Sequence, residues 1–134
     1  MAATIKVEVV SAERSLYSGV AEMVVAPAAM GDVGILPRHA PLLTGLRPGI
    51  LKLVSGEDEE LMYVAGGIME VQPDMVTVLA DVAERGEDLD EERVEAARKE
   101  AEEMLADRSG DIDYAKAQAE LAKAVAQLEL LRKL

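Results

Sequence analysis

The sequence predicts a mixed, two-domain fold, in which an N-terminal antiparallel β-sandwich over residues 1–86 is followed by a C-terminal antiparallel α-helical hairpin over residues 87–134. All five prolines and eight of the ten glycines precede residue 84. Val, Ile and Thr number twenty in positions 1–83 and three afterwards. Because β-branched residues favour strands and the Ala-, Glu- and Leu-rich sequence beyond residue 83 favours helices, this change of composition marks a domain boundary.

Short segments with alternating side chains predict the strands of the first domain. Residues 4–9 alternate strictly between polar and apolar side chains, which is typical of a half-buried strand. Further strands are expected at about 21–26, 50–54, 61–64, 68–71 and 75–82, with turns at 18–19, 30–32, 48–49, 55–58, 66–67 and 73–74. Without space for crossover helices, this pattern favours an antiparallel sandwich or barrel. The glycines at 66–67 indicate either a tight strand connection or a close approach of two backbones.

The second domain reads as two helices. Asp88 and Glu91 have the spacing of a capping box, which predicts a first helix over residues 89–106. Its apolar residues recur at intervals of three and four, at Val94, Ala97, Ala101, Met104 and Leu105. Residues 107–110 should break this helix, and either Asp111 or Asp113 can cap a second helix that continues to the C-terminus.

The second helix has two apolar faces. The larger face contains Tyr114, Ala117, Leu121, Val125, Leu128 and Leu131, and the smaller one contains Ala115, Ala119, Ala122 and Ala126. We expect the alanine face to meet Ala97 and Ala101 of the first helix, because small side chains let two helices lie close together. The larger face then needs another surface, which is either the β domain or a partner protein.

The composition argues against several classes of function. A net charge of −12 without a basic stripe disfavours direct nucleic-acid binding. His39 is the only histidine and cysteine is absent, so no histidine pair for a metal and no catalytic triad of the usual kind can form. No uncharged apolar run approaches the ~18 residues that a membrane-spanning helix requires, and no direct membrane span is expected. An enzyme is therefore the least favoured interpretation.

Five segments, taken in order and at their spacing, resemble a known family. They are Val10–Glu13, Gly34–Leu43, Ala65–Pro73, Val76–Asp81 and Asp88–Asp90. Together they are similar to the epsilon subunit of bacterial F-type ATP synthases, and the likeness covers essentially the whole chain. The resemblance implies a noncatalytic subunit in the central stalk of the F1 sector. Such a subunit is held on the cytoplasmic side of the bacterial inner membrane through the complex.

The resemblance also implies partners for each domain. The sandwich would bind the gamma subunit, and its lower loops, with Asp32 and His39, would lie on the side of the stalk and the c-ring. The hairpin would permit ATP hydrolysis when folded on the sandwich, and it would inhibit hydrolysis when extended along gamma among the alpha and beta subunits. The basic residues that would then face the catalytic subunits are Lys116, Lys123, Arg132 and Lys133.

The two helices carry opposite charge, which suggests how both positions of the hairpin could be stabilised. Residues 88–107 contain nine acids and three bases, whereas residues 114–134 contain four bases and two acids. In the folded form the basic helix would lie beside the acidic one. In the extended form its cations would face acidic segments of the catalytic subunits, so we hypothesise two arrangements that are close in free energy.

No cofactor is expected apart from a regulatory ATP. Some members of the resembled family bind ATP on the folded hairpin through Ile or Leu, Asp, two variable residues, Arg and Ala. Here the pattern runs from Leu89 to Val94, with Asp90 and Arg93 as the candidates and valine in the last place. The second helix carries lysines where arginines usually assist. The interpretation that we favour is simpler, with Asp90 as a helix-start acid and Arg93 as a surface arginine.

Arg38 stands where the family often has glycine, so the loop around His39 lacks the conformational freedom of that residue.

An alternative function of a different class is a stand-alone acidic adaptor that uses its two domains to bind two partners. Copurification with gamma distinguishes the two interpretations.

Overall fold

A computed structural model describes residues 3–107 and 113–134 of the chain. The described part begins with eight strands and continues with a 3-10 turn and two helices. The elements are β1 (Ile5–Ser11), β2 (Ser15–Ala21), β3 (Met23–Ala28), β4 (Gly31–Ile35), β5 (Leu42–Gly45), β6 (Gly49–Ser55), β7 (Asp58–Gln72), β8 (Met75–Arg85), the turn at Gly86–Asp88, α1 (Glu91–Ala106) and α2 (Tyr114–Lys133).

The strands form a continuous sheet that folds over itself into a sandwich. Its order is β2-β1-β8-β7-β6-β3-β4, and β5 pairs with the second half of β7. Strand β7 is 15 residues long and pairs with β6 through its first half and with β8 along most of its length. The predicted sandwich and hairpin are thus confirmed. Every strand pair is antiparallel except β1 and β8, which run parallel.

The core lies between the two layers of the sandwich and follows the alternation of the strands. Ile5, Val7 and Val9 on β1 are at most 1% exposed, and they share the core with Val76 and Val78 on the neighbouring β8. Their polar neighbours along the strand point outward, as the period of two requires. The burial of β-branched side chains on one face therefore fixes the register of these strands.

The glycine pair in β7 lies inside a strand rather than in a turn. Gly66 and Gly67 have positive φ angles of 68° and 92°, and a Cβ atom on Gly67 would lie 2.0 Å from the backbone oxygen of Leu79. The close backbone approach is confirmed, and the tight strand connection is wrong. The glycines instead let one long strand bend where its pairing passes from β6 to β5.

The strand prediction was incomplete in other places. The expected turn at 18–19 lies inside β2, and the short strands β2, β4 and β5 have no counterpart among the predicted strands. In contrast, the turns at 55–58 and 73–74 do separate consecutive strands. Serine and glycine are turn signals in a sequence, but backbone pairing with a neighbouring strand overrides them, as between Val7 and Gly19.

Helix α1 begins one residue after Asp90, not after Asp88 as the capping-box spacing suggested. The Asp90 Oδ1 atom accepts hydrogen bonds from the backbone amides of Glu92 at 3.0 Å and Arg93 at 3.3 Å. Asp88 belongs to the 3-10 turn, which is closed by a hydrogen bond from the Leu89 amide to the Gly86 oxygen. Asp90 is extended, so the helix can start only beyond it.

Helix α2 is capped by Asp113, as one of the two alternatives predicted. The Asp113 Oδ1 atom accepts a hydrogen bond from the Lys116 amide at 3.0 Å. The Tyr114 hydroxyl donates to the backbone oxygen of Asp107 at 2.6 Å and joins the facing ends of the two helices. The predicted break at 107–110 begins where α1 ends, since Asp107 is extended, and residues 108–110 and the alternative cap Asp111 lie outside the described residues.

Replacement of Gly67 by alanine tests the bend in β7. A Cβ atom would collide with the backbone at Leu79, which cannot move as a flexible side chain could, and the residue would keep a strained positive φ. We expect a loss of at least about 2 kcal/mol in the free energy of unfolding, measured by urea denaturation.

Gly34→Ala is the matched control. Gly34 also lies in a strand, but a Cβ atom there would meet no atom within 4 Å. Its free energy of unfolding should change by less than about 0.5 kcal/mol. Equal losses for the two variants would contradict the assigned role of Gly67.

Candidate functional site: the sheet face that holds the helical hairpin

The outer face of β6, β7 and β8 is an apolar platform on which the hairpin rests. In the sheet, Ile50 lies opposite Tyr63, and Tyr63 lies opposite Glu84. Leu61 and Ala65 lie on the same face of β7 as Tyr63, since side chains alternate along a strand. We call these five residues the docking platform. Leu61 is 7% exposed and Tyr63 is 1% exposed, whereas Ile50, Ala65 and Glu84 at the margins are partly exposed.

Helix α2 covers the platform through a narrow strip of its surface. Leu130 is fully buried against Leu61 and Tyr63, and Ala126 packs beside it. The predicted packing of the larger apolar face on the β domain is therefore wrong in detail, since Tyr114 is 42% exposed and Val125 is 49% exposed. Helix α1 packs on the adjacent side of α2, and its position determines which side of α2 faces the sheet. The number of apolar residues on each side of α2 does not determine this.

The predicted alanine seam between the helices is wrong except at Ala101. Ala115, Ala119 and Ala122 are exposed, and so is Ala97 of α1. Ala101 is buried as predicted, and the other buried residues of the two helices on this side are Val94, Ala117 and Ala124, which were not assigned to the seam. Small side chains do permit the close packing, but alanines occur on several sides of α2, so their spacing could not identify the contact side.

Besides the apolar contact, α2 and the platform also share a polar one. Gln127 is 6% exposed, and its Nε2 atom donates a hydrogen bond of 3.4 Å to the Glu84 Oε1 atom. The neighbouring Tyr63 is desolvated by burial and lies near Glu84 and Glu120, which together raise its pKa from the ordinary value of 10.0 to about 12. The phenol therefore stays neutral well above physiological pH.

A cavity of about 270 Å³ opens beside this polar contact and contains the candidate ATP residues. Its charged lining consists of the acids Glu84, Asp88, Asp90 and Glu120 and the bases Arg93 and Lys123. The structure thus places Asp90, Arg93 and Lys123 in the lining of one cavity. However, the Asp90 side chain is used as the cap of α1, and four carboxylates against two cations oppose a triphosphate.

Asp32 and His39 occupy different surroundings at the two ends of β4. Asp32 is exposed and pairs with Arg47, whose Nη2 atom lies 2.6 Å from the Asp32 Oδ1 atom. The two residues line one end of a groove of about 770 Å³ between α2 and the sandwich, which Lys133 also lines. His39 is partly exposed and lies four residues beyond the end of β4, whereas Asp32 lies inside that strand, opposite Pro27, and not in a loop as predicted.

The loop before His39 is a turn with an arginine in the place of a glycine. The His39 amide donates to the Leu36 oxygen at 3.1 Å, and Arg38 has a positive φ of 68°. A proline second and a positive φ third are features of a type II turn, in which glycine is the preferred third residue. The Arg38 amide also donates to the Pro73 oxygen at 2.8 Å, and this bond helps to hold the strained residue.

The basic residues of α2 do not form a single patch. Lys116 and Lys123 are seven residues apart and lie on the same side of the helix, whereas Arg132 lies about half a turn away from Lys123. Lys133 pairs with Glu129 of its own helix at 3.6 Å. In the acidic helix, Arg98 likewise pairs within its own helix, with Glu95 and Glu102. No ion pair joins α1 and α2 among the residues that the structure describes.

The start of the hairpin is tied to the first β-hairpin of the sandwich. The Arg85 guanidinium donates two hydrogen bonds, of 2.8 and 3.2 Å, to the Leu16 oxygen. Arg14 forms an ion pair of 3.3 Å with Asp88. Gly86 between them is buried, and the side chain of Leu134 at the end of α2 lies against it. Both ends of the helical hairpin therefore meet at the junction of the domains.

The contact between the domains is formed by residues that the sequence did not single out, namely Tyr63, Glu84, Gln127 and Leu130. One signal was available. The residues Leu61–Val64 form an uninterrupted apolar run in a strand, which indicates that both faces of the strand are covered. No comparable signal identifies Gln127, because a glutamine in a helix is usually exposed.

Within residues 3–107 and 113–134, no helix is both long enough and apolar enough to span a membrane. Within the same ranges no group of three or more His, Cys, Asp or Glu side chains is arranged to hold a metal ion.

The fold and the site define a class of two-domain proteins in which an outer sheet face of a β-sandwich holds an α-helical hairpin. The family model for the β-sandwich domain of the ATP synthase delta/epsilon chain matches residues 4–86. The model for the long α-helix domain of the same chain matches residues 87–131. The chain belongs to the family of ATP synthase epsilon chains.

Individual relatives agree with this membership. The ATP synthase epsilon chain of Acidithiobacillus ferridurans is 58% identical over 134 residues, which cover 100% of this chain and 95% of that protein. The epsilon chain of Nitrosococcus oceani is 54% identical over an alignment that covers 100% of this chain and 96% of that protein. A chain of the mitochondrial ATP synthase of Euglena gracilis has the same fold, with a TM-score of 0.77 and 23% identity over 94% of this chain and 79% of its own.

Removal of the Tyr63 hydroxyl tests whether the surroundings of the platform raise the pKa of this side chain. A phenol whose pKa is higher in the folded state stabilises that state below the ordinary pKa of 10.0, and the stabilisation is lost as the pH rises towards about 12. We expect the free energy of unfolding of the native chain to fall over this interval, and Tyr63→Phe to remove that part of the fall. Urea denaturation at a series of pH values measures it.

Tyr17→Phe serves as the control, because the Tyr17 hydroxyl donates to Val20 on β2, away from α2. This variant should keep the alkaline loss of stability. If Tyr63→Phe and Tyr17→Phe respond to pH in the same way, the phenol at the platform is not the group that titrates.

Proposed function

We propose that the chain is the noncatalytic epsilon subunit of the central stalk of a bacterial F-type ATP synthase. In this role it couples rotation between the F1 sector and the c-ring and regulates ATP hydrolysis through its hairpin. The observation that carries the proposal is the membership of the whole chain, both domains in order, in the epsilon chain family. As part of the complex, the subunit is peripheral and lies on the cytoplasmic side of the inner membrane.

We assign the two functions to the two structural units, residues 1–86 and 87–134. The sandwich is the unit that stays on the rotor, and the hairpin is the unit that moves. The support for this division is that the β8 strand ends at Arg85 and the turn at Gly86–Asp88 follows it directly. The alternative of a stand-alone adaptor is supported by no observation of the fold or of the relatives.

The sandwich offers an exposed apolar surface for the gamma subunit. Ile68 and Leu79 lie opposite each other on β7 and β8 and are 44% and 46% exposed. Leu43 on the adjacent β5 is 66% exposed and lies opposite Glu70 on the same outer face. Clustered apolar side chains on an outer sheet face are typical of a protein contact. Asp32 and His39 remain our candidates for contacts on the stalk and c-ring side.

The inhibitory role rests on the hairpin, whose hold on the sandwich is small. Its apolar contact with the platform comes from Leu130 and Ala126 of α2 and from Leu89 before α1. A contact of that size can be exchanged for another when the hairpin extends along gamma. Lys116, Lys123, Arg132 and Lys133 are then the residues that would meet acidic segments of the alpha and beta subunits.

Reconstitution with the other F1 subunits tests both roles. The full chain should copurify with gamma, and Leu79→Asp should weaken this copurification at least about tenfold because a charge replaces an apolar contact. Ala12→Asp, an equal charge change in the exposed β1–β2 turn, should leave it unchanged. Failure of the native chain to bind gamma would reject the rotor assignment.

The same preparation tests the inhibition. A chain that ends at residue 110 lacks α2 and should still bind gamma, but the F1 complex that contains it should hydrolyse ATP faster than the complex with the full chain. An unchanged rate would show that this segment does not inhibit the enzyme.

The lining of the cavity disfavours a regulatory ATP at Asp90 and Arg93. Four carboxylates surround the position, and the Asp90 side chain already caps α1. We therefore expect calorimetric titration of the isolated chain with ATP to show no saturable heat below about millimolar concentrations. Saturable heat that disappears in Arg93→Ala would instead establish the site.

A further inference from the structure

The polar contact between Gln127 and Glu84 occupies an unusual position. Gln127 is the one polar side chain that is buried among the described residues, and it lies in the helix strip that covers the platform. Its Nε2 atom donates to the Glu84 Oε1 atom across the contact between the domains. Glu84 in turn lies opposite Tyr63 in the sheet. The two residues thus connect the moving hairpin to the fixed sandwich.

The charges around this contact are predominantly negative. The titratable groups that face Glu84 come from four other elements: Tyr63 on β7, Asp88 in the 3-10 turn, Asp90 and Arg93 at the start of α1, and Glu120 and Lys123 on α2. With Glu84 itself, four carboxylates line the cavity with two cations, and one of the four, Asp88, is paired with Arg14. Glu84 and Glu120 are brought towards each other only when the hairpin is docked, so their repulsion acts against the docked form.

A neutral donor at position 127 is what makes docking compatible with these charges. The amide of Gln127 supplies a hydrogen bond to Glu84 without adding charge to the cavity. A carboxylate in its place would supply no donor at neutral pH and would add a fifth negative charge at a position that is only 6% exposed. Burial and neighbouring carboxylates both raise the pKa of such a group, so it would be accommodated most easily in its protonated form.

We infer that the Gln127–Glu84 contact is a charge-sensitive latch that holds the hairpin on the sandwich. Leu130 supplies nondirectional apolar contact, and the latch supplies the directional part, which depends on the charge at both positions. Negative charge added at the latch releases the hairpin, and removal of negative charge strengthens docking. Docking is a property of the isolated chain, and only the consequence for ATP hydrolysis rests on the proposed function.

The test measures the docked fraction in the full-length chain. Since the sequence has no cysteine, single cysteines at the exposed positions Glu57 and Ala119 can carry spin labels, and pulsed electron paramagnetic resonance gives the distance distribution between sandwich and hairpin. Gln127→Glu is compared with Gln118→Glu, which makes the same change on an exposed side of the same helix.

At pH 8 the docked fraction should fall at least about fivefold in Gln127→Glu and remain at the native level in Gln118→Glu. The new carboxyl has a raised pKa when docked, so its unfavourable effect is absent below the ordinary pKa of glutamate and appears as the pH rises through the raised value. Docking of Gln127→Glu should therefore return near pH 4.5. Native docking of this variant at pH 8, or equal release in Gln118→Glu, would overturn the inference.

The exchanged pair Glu84→Gln with Gln127→Glu guards against a simple loss of folding. This double variant keeps one amide and one carboxylate in the contact, so docking at pH 8 should return. If the single variant undocks and the double variant does not recover, the contact is structural rather than a charge-sensitive latch.

ATP hydrolysis by the reconstituted complex separates the two proposals. A released hairpin without any change in the rate of hydrolysis would reject the proposed regulation and leave the latch intact. An unchanged hairpin position in Gln127→Glu would reject the latch whatever the rate of hydrolysis.

Discussion

The whole arrangement depends on the burial of an outer sheet face beneath a helix that contacts it through a narrow apolar strip. Four consecutive residues of β7, Leu61–Val64, are buried because the even and odd positions of the strand face different neighbours. Met62 and Val64 belong to the core of the sandwich, whereas Leu61 and Tyr63 are covered by Leu130 of α2. Without the hairpin this second face would be exposed to water.

The hairpin needs this face as much as the face needs the hairpin. Its internal contacts involve small residues such as Ala101, Ala117 and Ala124, which bury little surface. Two helices of 16 and 20 residues with so small a core are marginal on their own. The hairpin is therefore ordered by the sandwich, and its position can respond to a few local interactions. This is the physical property that a mobile regulatory unit requires.

Much of the fold could be predicted from the sequence, because the strand and helix signals come from local composition and periodicity. The run Leu61–Val64 also signals that the sheet is covered on both faces, although its occupant is not apparent from the strand. The contact strip of α2 could not be predicted, since apolar residues occur on several sides of that helix. The choice between them depends on where α1 and the sheet lie, which is a property of the tertiary structure.

The details that the sequence concealed are those decided by backbone geometry. Asp88 and Asp90 are both good caps, and only the extended conformation at Asp90 determines where α1 starts. Gly66 and Gly67 resemble a turn in the sequence, but the residues before and after them pair with β8, which keeps them within one strand. The candidate ATP residues illustrate the same limit, because the pattern places Asp90 and Arg93 together but does not show the carboxylates around them.

The most direct test of the account is whether Leu130 lies on Tyr63 in solution. With three tyrosines and no phenylalanine or tryptophan in the chain, the aromatic proton spectrum is simple. A nuclear Overhauser experiment on the full chain should show strong contacts between the Leu130 methyl groups and the Tyr63 ring. If the Tyr63 ring has contacts only with residues of the sandwich, the hairpin does not rest on this face, and the account is wrong.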